Sequence, residues 1–175
     1  MEYFELCQSK AVENPIVIMK LDKEKYCYAM REEDFAALDK LKVAWFSGRE
    51  VEELCDILTE PTFLVSDRMK KILQLYEQKL PFKGVQLFAT AEESKQYPLY
   101  WVPCFPVLDC LHEETKRYDN GMLQRLVLDK RKIHKQPVFR IGGLLEYKVA
   151  VSLPVAESIL RRRPYGVGLQ RIEVK

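Results

Sequence analysis

One local pattern occurs twice in this chain and constrains its fold more than any other feature. Residues 62–65 read as a strand. Ser66 follows, where a hydroxyl can accept from the free N–H groups of a helix start. Met69, Ile72, Leu73 and Tyr76 then recur at helical spacing, Pro81 stops the helix, and Gly84 leads into a strand over 85–89. The same order returns near the C-terminus. Residues 148–151 read as a strand and Ser152 takes the cap position. Pro154 sits in the first turn, where its missing N–H costs little. Val155, Ala156, Ile159 and Leu160 supply the apolar stripe, Pro164 ends the helix, and Gly168 leads into a strand over 169–174.

Laid together, TFLVSDRMKKIL…PFKGVQLF and KVAVSLPVAESIL…PYGVGLQRI share Val-Ser at the strand end, Ile-Leu in the helix, Pro-aromatic after it, and Gly-aliphatic-Gln in the last strand. Two readings stay open: duplication of one supersecondary unit, or two independent units whose Ser caps and Gly exits are generic. Two copies are too few for a solenoid. Either way the expected fold is α+β. It is a single domain over 1–175, a mixed sheet with short helices over it. The repeat-like units occupy 62–90 and 147–175, and 1–61 supplies N-terminal strands and short helices.

Elsewhere the chain reads as short elements. Strands are expected over 2–9, 16–19, 26–28 and 42–47, with a turn at Asn14-Pro15 and a charged loop over 20–25. A helix is expected over 32–41, with Glu32, Glu33 and Asp34 in its first turn and Phe35, Leu38 and Leu41 facing inward. Gly48 breaks the strand before a second short helix over 50–58, with Val51, Leu54, Cys55 and Leu58 at i, i+3, i+4 and i+7. Residues 97–108 cannot form a central strand throughout, because Pro98, Pro103 and Pro106 lack ladder donors. Asp119-Asn120-Gly121 marks a turn before a strand over 122–128, and 138–141 is another strand, ended by Gly142-Gly143.

Apolar residues at 47% with charged residues at 31% exclude a disordered tail protein. The 28 basic and 26 acidic residues leave +2, too balanced for a dedicated nucleic-acid binder. The first residues carry Glu2 and Glu5 where an export signal would carry basic residues and an apolar run. The uncharged stretch 96–108 is too short and too rich in proline to span a bilayer. The expected compartment is therefore the cytoplasm, with no membrane partner. Five cysteines (Cys7, Cys27, Cys55, Cys104 and Cys110), an odd number with no CxxC pair, fit free thiols better than a disulfide framework. Cys104, Cys110 and His112 match no common zinc spacing, so neither metal nor cofactor is expected.

No nucleophile elbow, phosphate loop, dinucleotide fingerprint or HExxH motif occurs. Ser66 and Ser152 read as caps, since no histidine is spaced to activate them. Cys110 with His112 or His134 leaves a small thiol-dependent hydrolase open as an alternative. The basic runs 130–135 and 161–163 leave open a nucleic-acid-associated regulator, though solvated faces explain such runs more simply. For a protein partner, Tyr100 and Trp101 in the aromatic stretch and Arg161, Arg162 and Arg163 are the candidate anchors, since aromatic and arginine side chains concentrate binding energy.

The second unit with its lead-in, LVLDKRKIHKQPVFRIGG…YKVAVSLPVAESILRRRPYGVGLQRIEV, resembles the C-terminal part of the eleventh immunity-protein family of bacterial polymorphic toxin systems. The carrying residues are the Val138-Phe139-Arg140 strand, the strand ending in Ser152, the short helix, the Gly turn and the last strand. FLVSDRMKKIL and YWVPCFPVLDCL resemble that family's middle section, from which the chain departs at Pro103, Cys104 and Pro106. The resemblance covers 62–175. It implies a non-catalytic antidote that binds a cognate protein toxin inside the producing cell, and it brings no catalytic residues with it.

Overall fold

The computed structural model describes residues 1–13, 16–26, 32–47, 54–90 and 97–175. The N-terminal half of the chain supplies β1 (Tyr3–Gln8), β2 (Val17–Met19), α1 (Glu32–Ala36), β3 (Leu41–Ser47), β4 (Ile57–Leu58), β5 (Leu64–Ser66), α2 (Asp67–Tyr76) and β6 (Phe82–Ala89). Then come β7 (Leu99–Pro103), β8 (Val107–Leu108), β9 (Lys116–Arg117), β10 (Leu123–Arg125), β11 (Val127–Leu128) and α3 (Lys130–Ile133). The chain closes with β12 (Val138–Ile141), β13 (Val149–Ser152), α4 (Leu153–Arg162) and β14 (Val167–Val174). Strand outweighs helix, the helices are short, and the fold is α+β, as the punctuation of the sequence predicts.

Two mixed six-stranded sheets carry the structure. One has the order β2-β3-β6-β7-β5-β4 and the other β11-β14-β1-β13-β12-β8; β9 and β10 form a separate ribbon. The sheets are built on one plan. In the first, α2 joins β5 to β6, and β7 lies between them, antiparallel to both. In the second, α4 joins β13 to β14, and β1 lies between them, again antiparallel to both. Flanking strands also correspond. β3 runs parallel to β6 as β11 does to β14, and β4 runs antiparallel to β5 as β12 does to β13.

Register agrees residue by residue. Ser66 faces Tyr100 where Ser152 faces Tyr3, and Val65 faces Trp101 where Val151 faces Phe4. Ile57 pairs with Val65 as Val138 pairs with Val151. Tyr100 faces Val85 and Tyr3 faces Ile172. Val85 therefore corresponds to Ile172, three residues beyond the Leu169 that the Gly84–Gly168 match would select. The last strand is thus the part of the repeat that the sequence aligns wrongly. The chain order also differs between the units. The central strand of the first follows its helix, whereas that of the second is the chain's own N-terminus.

The units share one core. Val65, Met69 and Leu73 of the first and their counterparts Val151, Val155 and Ile159 of the second lie in a single buried cluster with Leu6 and Ile57. The outer face of each sheet has its own cover. Ile18, Leu21, Phe35 and Leu38 close over Phe46, Leu64 and Leu87, while Cys110, Leu128 and Ile133 close with Tyr3, Phe139 and Ala150. Consecutive residues of β4, β5 and β13 are consequently buried on both faces, so these strands are apolar up to the serines that close β5 and β13.

Several expectations change. The 32–41 helix is only α1, because Leu41 is taken into β3 beside Gly84; Leu41 is 56% exposed and not part of an inner stripe. Of the 50–58 helix, residues 50–53 lie outside the described residues, and Ile57–Leu58 is strand. Ile57 enters the shared core and Leu58 the outer one, so the apparent helical spacing came from a strand buried on both sides. The 122–128 strand divides into β10 and β11, which pair with different partners around an irregularity at β10. The basic run at 130–135 contains α3, started by Asp129, whose carboxylate accepts from the Arg131 N–H at 2.9 Å. Cys27, Tyr28 and the Asn14-Pro15 turn lie outside the described residues.

Candidate functional site

The two sheets present equivalent faces on the helix side, beyond the reach of their helices, and the residues there differ in kind. In the second sheet Glu2, Arg171, Glu173 and Lys175 occupy this surface. They neutralise one another: Arg171 pairs with Glu2, Arg125 with Glu173 at 2.7 Å, and Lys175 reaches Glu114 at 2.5 Å. In the first sheet, register places Leu99, Gly84, Gln86 and Phe88 at the corresponding positions.

This face continues onto β3 and β2, where strand alternation turns Leu41, Val43 and Trp45, then Val17 and Met19, to the same side. Leu41, Val43 and Val17 are 56%, 40% and 59% exposed. Trp45 stands 6.3 Å from Phe88, and Phe88 stands 5.1 Å from the exposed Tyr97, forming an aromatic row along one end. At the centre Gly84 lets Leu41 and Leu99 approach; a Cβ there would lie 2.8 Å from the Leu41 side chain. A contiguous apolar platform of this kind marks an interaction surface more often than scattered exposed residues do.

Two lysines border the platform. The Lys20 ammonium lies 4.5 Å from the centre of the Trp45 ring, and the Lys70 ammonium 3.1 Å from that of Trp101. Partial burial pushes the Lys70 amine below its ordinary value. Among the described residues neither lysine forms an ion pair within 4 Å; Asp67, the nearest acid to Lys70, is paired with Lys71 at 2.7 Å.

The expected anchors separate. Tyr100 is a core residue, 2% exposed on the opposite face of β7, with its hydroxyl donating to the Cys55 carbonyl at 2.6 Å; it is not available to a partner. Trp101 is half-buried at the platform's edge, its indole N–H donating to Asp67 at 3.3 Å. Arg161, Arg162 and Arg163 are exposed at the end of α4. Arg161 and Arg162 line a groove of about 280 Å³ between the two helices, and Arg162 donates to the Ser158 hydroxyl at 2.6 Å. Local pattern does not single out the platform. In 41–47 Leu41, Val43 and Trp45 alternate with Ala44 and Phe46, so both sets are mostly apolar and only tertiary structure decides which is covered.

The residues weighed for chemistry take structural places. Ser66 accepts from the Met69 N–H and donates to Asp56, whose other oxygen accepts from the Tyr165 N–H at 2.7 Å, so this cap ties the two units together. Ser152 holds the corresponding position without a side-chain cap bond. Cys110 is fully buried, and burial followed by the nearby Asp109 pushes its thiol up to about 11, away from the thiolate a hydrolase requires. Among the described residues no three His, Cys, Asp or Glu side chains gather at metal-binding distance. A cavity of about 750 Å³ runs along the seam between the end of α2, β8 and β12. Glu77, Phe105 and Gln136 are in its wall, and the Gln136 amide is already bonded to Glu77 at 3.0 Å. Among the described residues no helix is long and apolar enough to cross a membrane. Compared with known proteins, the chain matches no family model and no curated sequence.

Proposed function

We propose that this chain is an immunity protein. It binds a cognate polymorphic toxin inside the producing cell and neutralises it by forming a stoichiometric complex. The observation that carries a binding role is the open apolar platform of the first sheet, set against an equivalent face whose charges are mutually satisfied. The resemblance over 62–175 supplies the nature of the partner. Occlusion requires no turnover, and the buried, protonated Cys110 suits packing.

The test is to identify a toxin gene adjacent to the gene for this chain and co-express its product with the chain. Protection should rise in proportion to the immunity protein and saturate near equal amounts, and size-exclusion chromatography with light scattering should give a complex of fixed ratio. Cys110→Ala and His112→Ala should still protect. Protection at strongly substoichiometric amounts, or its loss in those variants with folding intact, would replace this reading with an enzymatic one.

A further inference from the structure

Resting on that proposed function, we infer that the platform of the first sheet is the toxin-binding surface, and that it receives an apolar protein patch flanked by carboxylates. Three observations identify the occupant.

The first is charge. Lys20 and Lys70 stand at the border of this apolar face, each over an indole ring and neither in an ion pair within 4 Å among the described residues, while Asp67 beside Trp101 is already paired with Lys71. A cation held over an aromatic ring is pre-positioned, so a carboxylate arriving there meets a charge whose geometry is already fixed.

The second is size. Four strands at about 4.8 Å spacing make a platform roughly 14 Å wide. That suits the apolar centre of a standard interface of roughly 800 Å² per partner and not its whole extent, so a polar rim must complete it.

The third is self-exclusion. A second copy seated on this face would bring the same two unpaired cations together, and like charges directly opposed are unfavourable. An anionic bilayer is a poorer match, since membrane attraction of this kind is built from clusters of about four to eight basic residues, and this face carries two.

The counterpart face sharpens the point. Glu2, Arg171, Glu173 and Lys175 show that the same sheet positions accept a self-neutralised polar surface. Backbone geometry therefore does not force apolar residues at Leu99, Gln86 or Phe88.

The experiment uses the full chain and the purified product of the adjacent toxin gene, followed by calorimetric titration. Lys20→Glu should weaken binding about tenfold or more and reduce its dependence on salt. Val43→Asp, at a 40% exposed position, should do so without disturbing the fold, with Val17→Asp on the edge strand as a second apolar probe. Arg161→Glu with Arg162→Glu, in the helix groove, should leave affinity within about twofold.

If the toxin binds wild type and all platform variants equally, the surface assignment is overturned and the immunity reading stands. If the arginine variant alone abolishes binding, the surface lies at α4. If wild type binds no toxin at all, the immunity reading falls and takes the assigned occupant with it. Two further outcomes would each overturn the occupant: binding of wild type to phosphatidylserine vesicles that Val43→Asp abolishes, or a concentration-dependent dimer that Val43→Asp dissociates.

Discussion

Deletion of residues 1–8 withdraws a central strand from a sheet whose other five members all come from beyond residue 106. β1 pairs with β13 on one side and β14 on the other, so its loss splits the sheet and leaves each of those strands with one neighbour instead of two. Tyr3 is 1% and Leu6 2% exposed, and Phe4 packs against the shared core. Burial of a large apolar side chain is worth about 1.5–3 kcal/mol, so Tyr3 and Leu6 alone contribute roughly 3–6 kcal/mol. Against a total stability of about 5–15 kcal/mol, that is a large share before either ladder is counted. At about 2–4 °C per kcal/mol for a chain of this size, the melting temperature should fall by roughly 6–24 °C or the cooperative transition should vanish. Circular dichroism melts and urea titration read the loss. The peptide MEYFELCQSK, added in trans to the truncated chain, should restore part of the transition by filling the vacated slot. A truncated protein melting within about 3 °C of the intact one would show that β1 is peripheral, and the correspondence between β1 and β7 would lose its energetic meaning.

Three other outcomes follow from single contacts. Tyr100→Phe leaves the Cys55 carbonyl buried without its 2.6 Å donor and should cost about 1–3 kcal/mol in urea unfolding while toxin affinity holds; the reverse pattern would return Tyr100 to a binding role. Gly166→Ala forces a side chain at φ +69° to within 2.5 Å of the Cys55 sulfur, and should destabilise by more than about 2 kcal/mol by the same assay. Hydrogen bonds from Lys71 to Asp67 and from Arg131 to Asp129 hold both carboxyls below their ordinary value of 3.8. Their contribution is complete above that value and is lost as pH falls through the lower, folded one. Melting temperature should therefore fall modestly as pH drops below about 4, and by less in Asp129→Asn.

The elements that sequence punctuation marks were legible for a physical reason. Ser66 and Ser152 begin α2 and α4, Pro81 and Pro164 follow them, and such signals act through the local backbone alone. The misread elements are those decided by distant contacts. Leu54, Cys55 and Leu58 fit a helical stripe, yet pairing with β5 and burial on two faces made Ile57–Leu58 a strand. In the last strand Gly84 and Gly168 look equivalent, but Gly84 makes room for Leu41 and Gly168 for Cys7, and register sets them three residues apart. Of the candidate site, only Trp101 carries a sequence signal for binding, as an aromatic beside Tyr100. Lys20, Val43 and Trp45 meet only because β3 pairs with β2 and β6.

The two units offer an internal comparison that a single sheet could not. Shared register holds the backbone nearly constant while side chains vary, so differences between equivalent positions report what each surface is for. Inside, the pairs are conservative: Val65 with Val151, Met69 with Val155, Leu73 with Ile159, all in the same core. On the helix-side open face they are not: Leu99 takes the place that Glu2 has in the other sheet, Gln86 that of Glu173, and Phe88 that of Lys175. A solvated sheet edge is served by ion pairs such as Arg125 with Glu173, each worth up to about 1 kcal/mol, and keeps its solubility. The apolar counterpart loses that benefit and gains nothing in the isolated chain. Such a surface becomes favourable when another molecule removes it from water, and that is the physical ground on which the exposed Leu41 and Val43, with the half-buried Trp45, support the proposed binding role.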